Sequence, residues 1–149
     1  MTIALERAAE AAAAGEIPIG AVVLDASGEV LASARNRREE LADPTAHAEV
    51  LALREAAARV GEWRLQGCTL VVTLEPCPMC AGAAMMSRID RLVFGAWNDE
   101  YGAAGSRWDL VRDRRLPHVV EVVSGLEAEA CGTIVREFLS SRRTEEATS

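Results

Sequence analysis

The sequence predicts one α/β domain, a mixed sheet covered by helices on both faces. Three observations point there. Strand-like and helix-like segments alternate after an opening hairpin. The 149 residues are 50% apolar and 26% charged, a balance that supports a buried core. Alanine fills 27 positions, so small side chains dominate and helix is favoured. Residues 2–14 are good helix formers, and Gly15 follows as a stop. Ile17 to Asp25 is strand-like, with Pro18 suited to its start or to an edge. Asp25-Ala26-Ser27-Gly28 is turn chemistry, so Glu29 to Ala34 returns as the second strand of a hairpin. A polar loop from Asn36 to Pro44 follows. Asp43-Pro44-Thr45 then punctuates a helix from about Ala46 to Val60, which Gly61 ends. Cys68 to Leu74 is a short strand rich in β-branched residues. Pro76 and Pro78 fence a tight turn into a helix from about Pro78 to Ser87. Arg91 to Gly95 is the next strand and Val119 to Val123 the last. Between them, residues 96–117 exceed the usual length of a structureless connection, so that segment is functional or holds short helical turns. Leu126 to about Ser141 is the final helix. Residues 1–143 are thus expected to form one domain, and residues 144–149 a polar, disordered tail.

Charge and cysteine usage narrow the classes. All 16 basic residues are arginine, against 23 acidic residues, for a net charge of −7. A general nucleic-acid binder is usually basic, so only a local contact with a short stretch of polyanion fits, and the less acidic second half is where it is expected. No run approaches 18 apolar residues, which excludes a spanning helix and a membrane role. The first turn carries Glu6 and Arg7 with no long apolar stretch, so a cytoplasmic protein is expected. Two of the four cysteines lie three residues apart, which in a reducing compartment reads as thiolates rather than a disulfide.

Four residues carry chemistry together that none carries alone. Cys77 and Cys80 sit at i and i+3 at the mouth of a helix, where unpaired N–H groups favour thiolate. Alone, the pair reads equally as a redox couple or as two core thiols. His47 opens the preceding helix, and two successive helix starts can meet at one end of a sheet. One imidazole and two thiolates suit zinc, one per chain. Three protein ligands leave a fourth position for water, the mark of a catalytic site. A closed structural site needs a fourth ligand, for which Cys68, Cys131 and His118 are the candidates. Cys68 and Cys131 read as small core residues, and His118 as a surface residue. Glu49, two residues beyond His47, is placed to act as a general acid and base toward water at that centre. Its bland alternative is a carboxylate that favours the helix N-terminus.

His47-Ala48-Glu49 followed by Pro76-Cys77-Pro78-Met79-Cys80 resembles the signature of the zinc deaminases. The likeness extends through Asp43-Pro44-Thr45-Ala46, Val72-Thr73-Leu74-Glu75, Ser87-Arg88-Ile89 and Gly102-Ala103-Ala104-Gly105-Ser106. Over roughly residues 3–143 the chain resembles the bacterial tRNA adenosine deaminases. That resemblance implies a cytidine deaminase-like, three-layer α/β/α fold with a central five-stranded mixed sheet. It implies a homodimer and conversion of the wobble adenosine of a tRNA anticodon to inosine. It further implies that Asn36 reads the target base, with the backbone of Ala48 fixing its edge; Leu74 and Pro76 would wall the pocket. A base acted on there is flipped out of its stack, which is easiest in a loop such as that of an anticodon stem-loop.

The remaining positions are weaker. Arg107, Arg112, Arg114, Arg115, Arg142 and Arg143 are the candidates for RNA backbone contact, though each taken alone reads as a solvated arginine before a contact. Phe138 reads as packing before stacking. At Asn98 the bacterial relatives commonly carry an acidic residue near the anticodon-loop ribose. A neutral amide there is expected to relax the preference for RNA over DNA. Trp97 beside it also departs from the pattern. Two competing functions remain: a deaminase of a free base such as guanine or cytosine, and a non-catalytic module stabilised by a closed zinc site.

Overall fold

The computed structural model describes residues 1–149. Helix α1 (Thr2–Ala13) precedes a hairpin of β1 (Gly20–Leu24) and β2 (Val30–Arg35). Then come α2 (Ala48–Val60), β3 (Thr69–Leu74), α3 (Pro78–Met86), β4 (Arg91–Ala96), β5 (Glu121–Ser124) and α4 (Ala128–Thr148). The five strands form one sheet in the order β2-β1-β3-β4-β5. β1 is antiparallel to both its neighbours, while β3, β4 and β5 are mutually parallel. Helices α1 and α4 pack on one face of the sheet; α2 lies on the other, with α3 against it. The expected three-layer architecture is therefore present, and its main core of 20 buried residues includes Leu70, Val72, Ile89, Leu92 and Phe94.

This topology decides where chemistry can sit. β2 and β3 both run antiparallel to β1, so they run the same way as each other. β4 and β5 share that direction. The carboxyl ends of four strands thus lie at one end of the sheet, and everything that follows them starts there: α2, α3, the segment after β4, and α4. The carboxyl ends of parallel strands are where open α/β sheets place ligands.

Element boundaries shift for identifiable reasons. β1 begins at Gly20, not Ile17, because Pro18 offers no N–H and the Ile19 N–H bonds Ile17 O at 2.9 Å. α2 begins at Ala48, because Asp43 Oδ1 accepts from the Thr45 N–H and hydroxyl and holds a turn there. β5 begins two residues late because the Val120 N–H bonds Val111 O in the preceding segment. Residues 97–120 hold no regular helix, only turns and one isolated bridge between Ala104 and Asp109. Residues 144–148, expected as a disordered tail, are helical: α4 runs seven residues past Ser141. No glycine or proline interrupts it after Gly132, and the hydroxyls of Thr144 and Thr148 bond back to Ser140 O and Thr144 O. Two contacts seat α4. A Cβ built on Gly95 of β4 would lie 2.4 Å from Cys131 Sγ, so the helix meets the strand where only glycine leaves room. Further along, the Arg142 guanidinium donates to Gly15 O beyond the end of α1.

Candidate active site

His47 and Cys77 are the residues immediately before the first turns of α2 and α3, both with extended backbone. Cys80 lies in the first turn of α3 and is fully buried. The shared direction of β2 and β3 brings these two helix starts together. His47 Nδ1 lies 3.7 Å from Cys77 Sγ and 3.5 Å from Cys80 Sγ. Their ligand atoms all fall within 4.8 Å of one another. The usual zinc–sulfur and zinc–nitrogen bond lengths place tetrahedral donors about 3.6 Å apart, so this set fits zinc. The three residues suggested for a fourth position are elsewhere. Cys68 packs in the core, Cys131 sits under Gly95, and His118 Nε2 meets Ile89 O at 2.7 Å. The donor set is therefore of the three-ligand, open kind.

Glu49, in the first turn of α2, is 3% exposed and lines the same cavity. Its Oε2 is buried with no hydrogen-bond partner in the protein, so it is left for something that enters. Burial pushes the Glu49 carboxyl up to about 7. Of the two thiols, Cys77 is the acidic one: the hydrogen bond from Cys80 holds it down at about 4. Cys80 keeps its proton, pushed up by that same bond and by burial. Bound zinc takes the place of such a proton.

Above this floor opens a cavity of about 740 Å³, within the range of small-molecule sites. One wall comes from the loop after β2, through Arg38 and Pro44. The opposite wall is the segment after β4, Trp97 to Tyr101, and Val135 and Leu139 of α4 close the side. Trp97 is 47% exposed and meets buried Phe94 edge-on, with ring centroids 4.9 Å apart.

Of the residues read from sequence, the structure gathers His47, Glu49, Cys77, Leu74 and Asn98 on the cavity. Asn36, Ala48 and Pro76 do not line it. Asn36 is buried; its amide donates to Ile17 O at 3.3 Å and its carbonyl accepts from the Arg38 N–H at 3.3 Å. Asn98 Oδ1 accepts from the Tyr101 N–H at 3.1 Å. None of the six arginine candidates lines the cavity. Arg112 pairs with Asp109, Arg115 with Asp113, and Arg107 Nε donates to Asp99 O. Arg142 lies over the Phe138 ring at 5.0 Å, so Phe138 packs. Arg114 and Arg143 are exposed and make no ion pair. The arginine that does reach the cavity is Arg38, which the sequence reading passed over.

Residues 1–96 match the cytidine and deoxycytidylate deaminase zinc-binding region. The chain belongs to that family. Zinc is the cofactor of these deaminases, and the His47, Cys77 and Cys80 donors fit it. Among individual relatives, the chain is 46% identical to the tRNA-specific adenosine deaminase of Bacillus subtilis (strain 168), over 96% of this chain and 88% of that one. A solved structure from work on A-to-I editing by tRNA:A34 deaminases at the wobble position of transfer RNA superposes with a TM-score of 0.86. It is 42% identical, covering 90% of this chain and 96% of that one. A guanine deaminase from Nitrosomonas europaea superposes at 0.80 with 28% identity, over 92% and 81% of the two chains. The cytidine deaminase-like fold expected of the sequence is thus the fold this member of the family has.

Proposed function

We propose that this deaminase converts adenosine to inosine at the wobble position of a tRNA anticodon, releasing ammonia. The observation that carries the reading is Glu49 Oε2, buried and unpartnered beside the His47, Cys77 and Cys80 donors on the floor of a cavity with ample room for a flipped purine. Likeness to the Bacillus subtilis enzyme over nearly the whole chain supports the choice of substrate.

His47, Cys77 and Cys80 hold zinc, which supplies a Lewis acid that makes water nucleophilic near neutral pH. Glu49 moves the protons. Its Oε2 takes one from the water that attacks C6 of the adenine and delivers it to N1. A second proton, from the new C6 hydroxyl, follows the same route to the amine, which leaves as ammonia while C6 becomes a carbonyl. A carboxyl raised toward neutrality can both accept and return a proton, so one glutamate serves every transfer. Burial of Glu49 and Cys80 keeps bulk water from competing.

Leu74 and Asn98 shape the recess for the flipped base, and Trp97 and Tyr101 offer aromatic faces at its mouth. Asn36 acts by holding the loop that presents Arg38, the backbone of Ala48 helps fix the base edge, and Pro76 braces Leu74. Arg114 and Arg143 are the candidate arginines left free for phosphate, and Arg38, 3.6 Å from the Glu39 carboxylate, is the one at the cavity. We take residues 1–143 as the deaminase unit, acting as a homodimer in the cytoplasm. Met79 and Met86, exposed on α3, supply apolar surface for a second copy. No helix is long and apolar enough to cross a membrane.

Removing zinc with a chelator and restoring it, with product analysis on an anticodon stem-loop carrying adenosine at the wobble position, tests the reading. Inosine should vanish and return. The guanine deaminase likeness and the acidic mouth at Asp99 and Glu100 favour a second reading, deamination of a free base. Ammonia released from guanine or cytosine, with no inosine in the stem-loop, would select it.

A further inference from the structure

Glu75, just after β3, is 1% exposed, borders the same cavity and makes no ion pair. It accepts three backbone N–H groups, all from one segment. Oε1 takes Asn98 at 3.1 Å, and Oε2 takes Ala104 at 3.0 Å and Ser106 at 3.1 Å. We infer that Glu75 is a positioning residue for substrate recognition: through these amides it holds the Trp97–Ser106 wall at a fixed place over the reacting centre. The inference deepens the deaminase reading above and rests on it for the choice of substrate.

That wall has no helix or strand to satisfy its backbone, and its amides point inward, where an unpaired N–H is costly. The carboxylate supplies what regular structure would have supplied. Gly102 makes the arrangement tight. A Cβ there would lie 2.0 Å from Ser106 Oγ, 2.3 Å from Glu75 Oε1 and 2.4 Å from Asn98 O. Ala103 and Ala104 are fully buried, and the Ala103 N–H bonds Pro76 O at 2.8 Å. The wall is therefore clamped to the run Leu74–Cys77, which also carries a cavity-lining residue and a zinc donor. One short stretch of chain sets the distance between recognition and chemistry.

Across the cavity, Glu16 is built alike. It is 1% exposed, and its carboxylate accepts the Glu39 N–H at 3.3 Å and the Glu40 N–H at 2.7 Å, in the loop that presents Arg38. It serves as the internal comparison. Both loops have backbone bonds of their own, such as Leu41 to Arg37 here and Gly102 to Asn98 in the wall, but Glu16 accepts two adjacent amides where Glu75 gathers three spread over nine residues, so this loop depends less on its carboxylate.

The test is steady-state kinetics of Glu75→Gln on the anticodon stem-loop, with zinc content measured on the same samples. A glutamine keeps one acceptor oxygen and turns an NH2 toward an amide that needs an acceptor. KM should rise about tenfold or more, since the wall presents Trp97, and losing a base stack costs roughly five- to a hundredfold in binding. The kcat should fall less than about threefold, and zinc should stay at one per chain. Glu75→Ala should be worse than Glu75→Gln, and Glu16→Gln milder than either. In the wild-type protein, the Asn98, Ala104 and Ser106 amides should exchange with solvent as slowly as strand amides. If the Glu75 variants do not fold, Gly102→Ala moves the same wall with the carboxylate kept and should give the same KM defect. An unchanged KM in Glu75→Gln or in a folded Gly102→Ala, or fast exchange at those wild-type amides, overturns the inference. A wild-type protein inactive on the stem-loop but active on a free base sinks the substrate reading instead, and the same KM comparison on that base then decides the role of Glu75.

Discussion

The floor and the far wall of the cavity are built by opposite means. The floor stands on regular structure. His47 and Cys77 occupy equivalent places at the starts of α2 and α3, and strand direction alone brings them together. The wall from Trp97 to Ser106 stands on none, and is held by one buried carboxylate across 23 to 31 residues of sequence, together with the Ala103 N–H on Pro76 O and local turn bonds. Helix starts offer fixed donors and a field that favours anions, which is what thiolates and bond-making chemistry need. An irregular segment can change its side chains without disturbing the sheet, which suits the choice of substrate. Reaction and recognition sit on differently built segments of this chain, joined through the short run Leu74–Cys77.

The largest effect should come from Glu49→Gln. It removes proton transfer and leaves the donors alone, so inosine formation should fall by roughly 10² to 10⁴ with zinc retained. A variant that keeps a tenth of its turnover would break the assignment of chemistry to the floor. Cys77→Ser should come next, with weakened zinc binding, activity recovered only in part by added zinc, and a lower Tm. A floor that needs no metal would show itself in unaltered metal content and unaltered melting.

The wall should answer differently. Trp97→Ala removes an exposed aromatic face while its support, Phe94, stays buried. Loss of a base stack costs about 1–3 kcal/mol, so KM for the stem-loop should rise roughly five- to a hundredfold with zinc content unmoved. A fall confined to kcat would show that wall and floor are not separable. The smallest effect is expected at Asn98, whose Oδ1 already serves the Tyr101 N–H. Asn98→Asp should raise the ratio of turnover on RNA over a matched DNA hairpin by a fewfold. An unaltered ratio would remove this position from sugar recognition.

The same division explains what the sequence made legible. Helix starts announce themselves locally: Asp43-Pro44-Thr45 before α2 and the proline fence before α3 mark both, and the donors follow at once. Alternating strands and helices were enough to place both at one sheet end. Bonds from a side chain to distant amides leave no period and no local spacing, so Glu75 shows only as part of a shared motif, without a role, and Glu16 does not show at all. The available signal is a carboxylate set in an apolar stretch one or two residues before proline, as in Leu74-Glu75-Pro76 and Glu16-Ile17-Pro18. Arg112 and Arg115, candidates for RNA contact, pair with Asp109 and Asp113, which stand three and two residues before them in the sequence. Asn36, expected to read the base, has its amide engaged by Ile17 O ahead of β1 and by the Arg38 N–H of its own loop. The tail beyond Ser141 looked frayed because it is polar, but a helix already begun continues cheaply until glycine or proline stops it.

The seating of α4 bears on how a substrate can enter. The helix is pinned under Gly95 through Cys131 and tied beyond the end of α1 through Arg142, and it carries Val135 and Leu139 of the cavity side between those anchors. A rod fixed at two points cannot swing aside as a gate. The distortion needed for admission therefore falls on the incoming nucleic acid, and loops that already splay a nucleotide outward should be processed fastest.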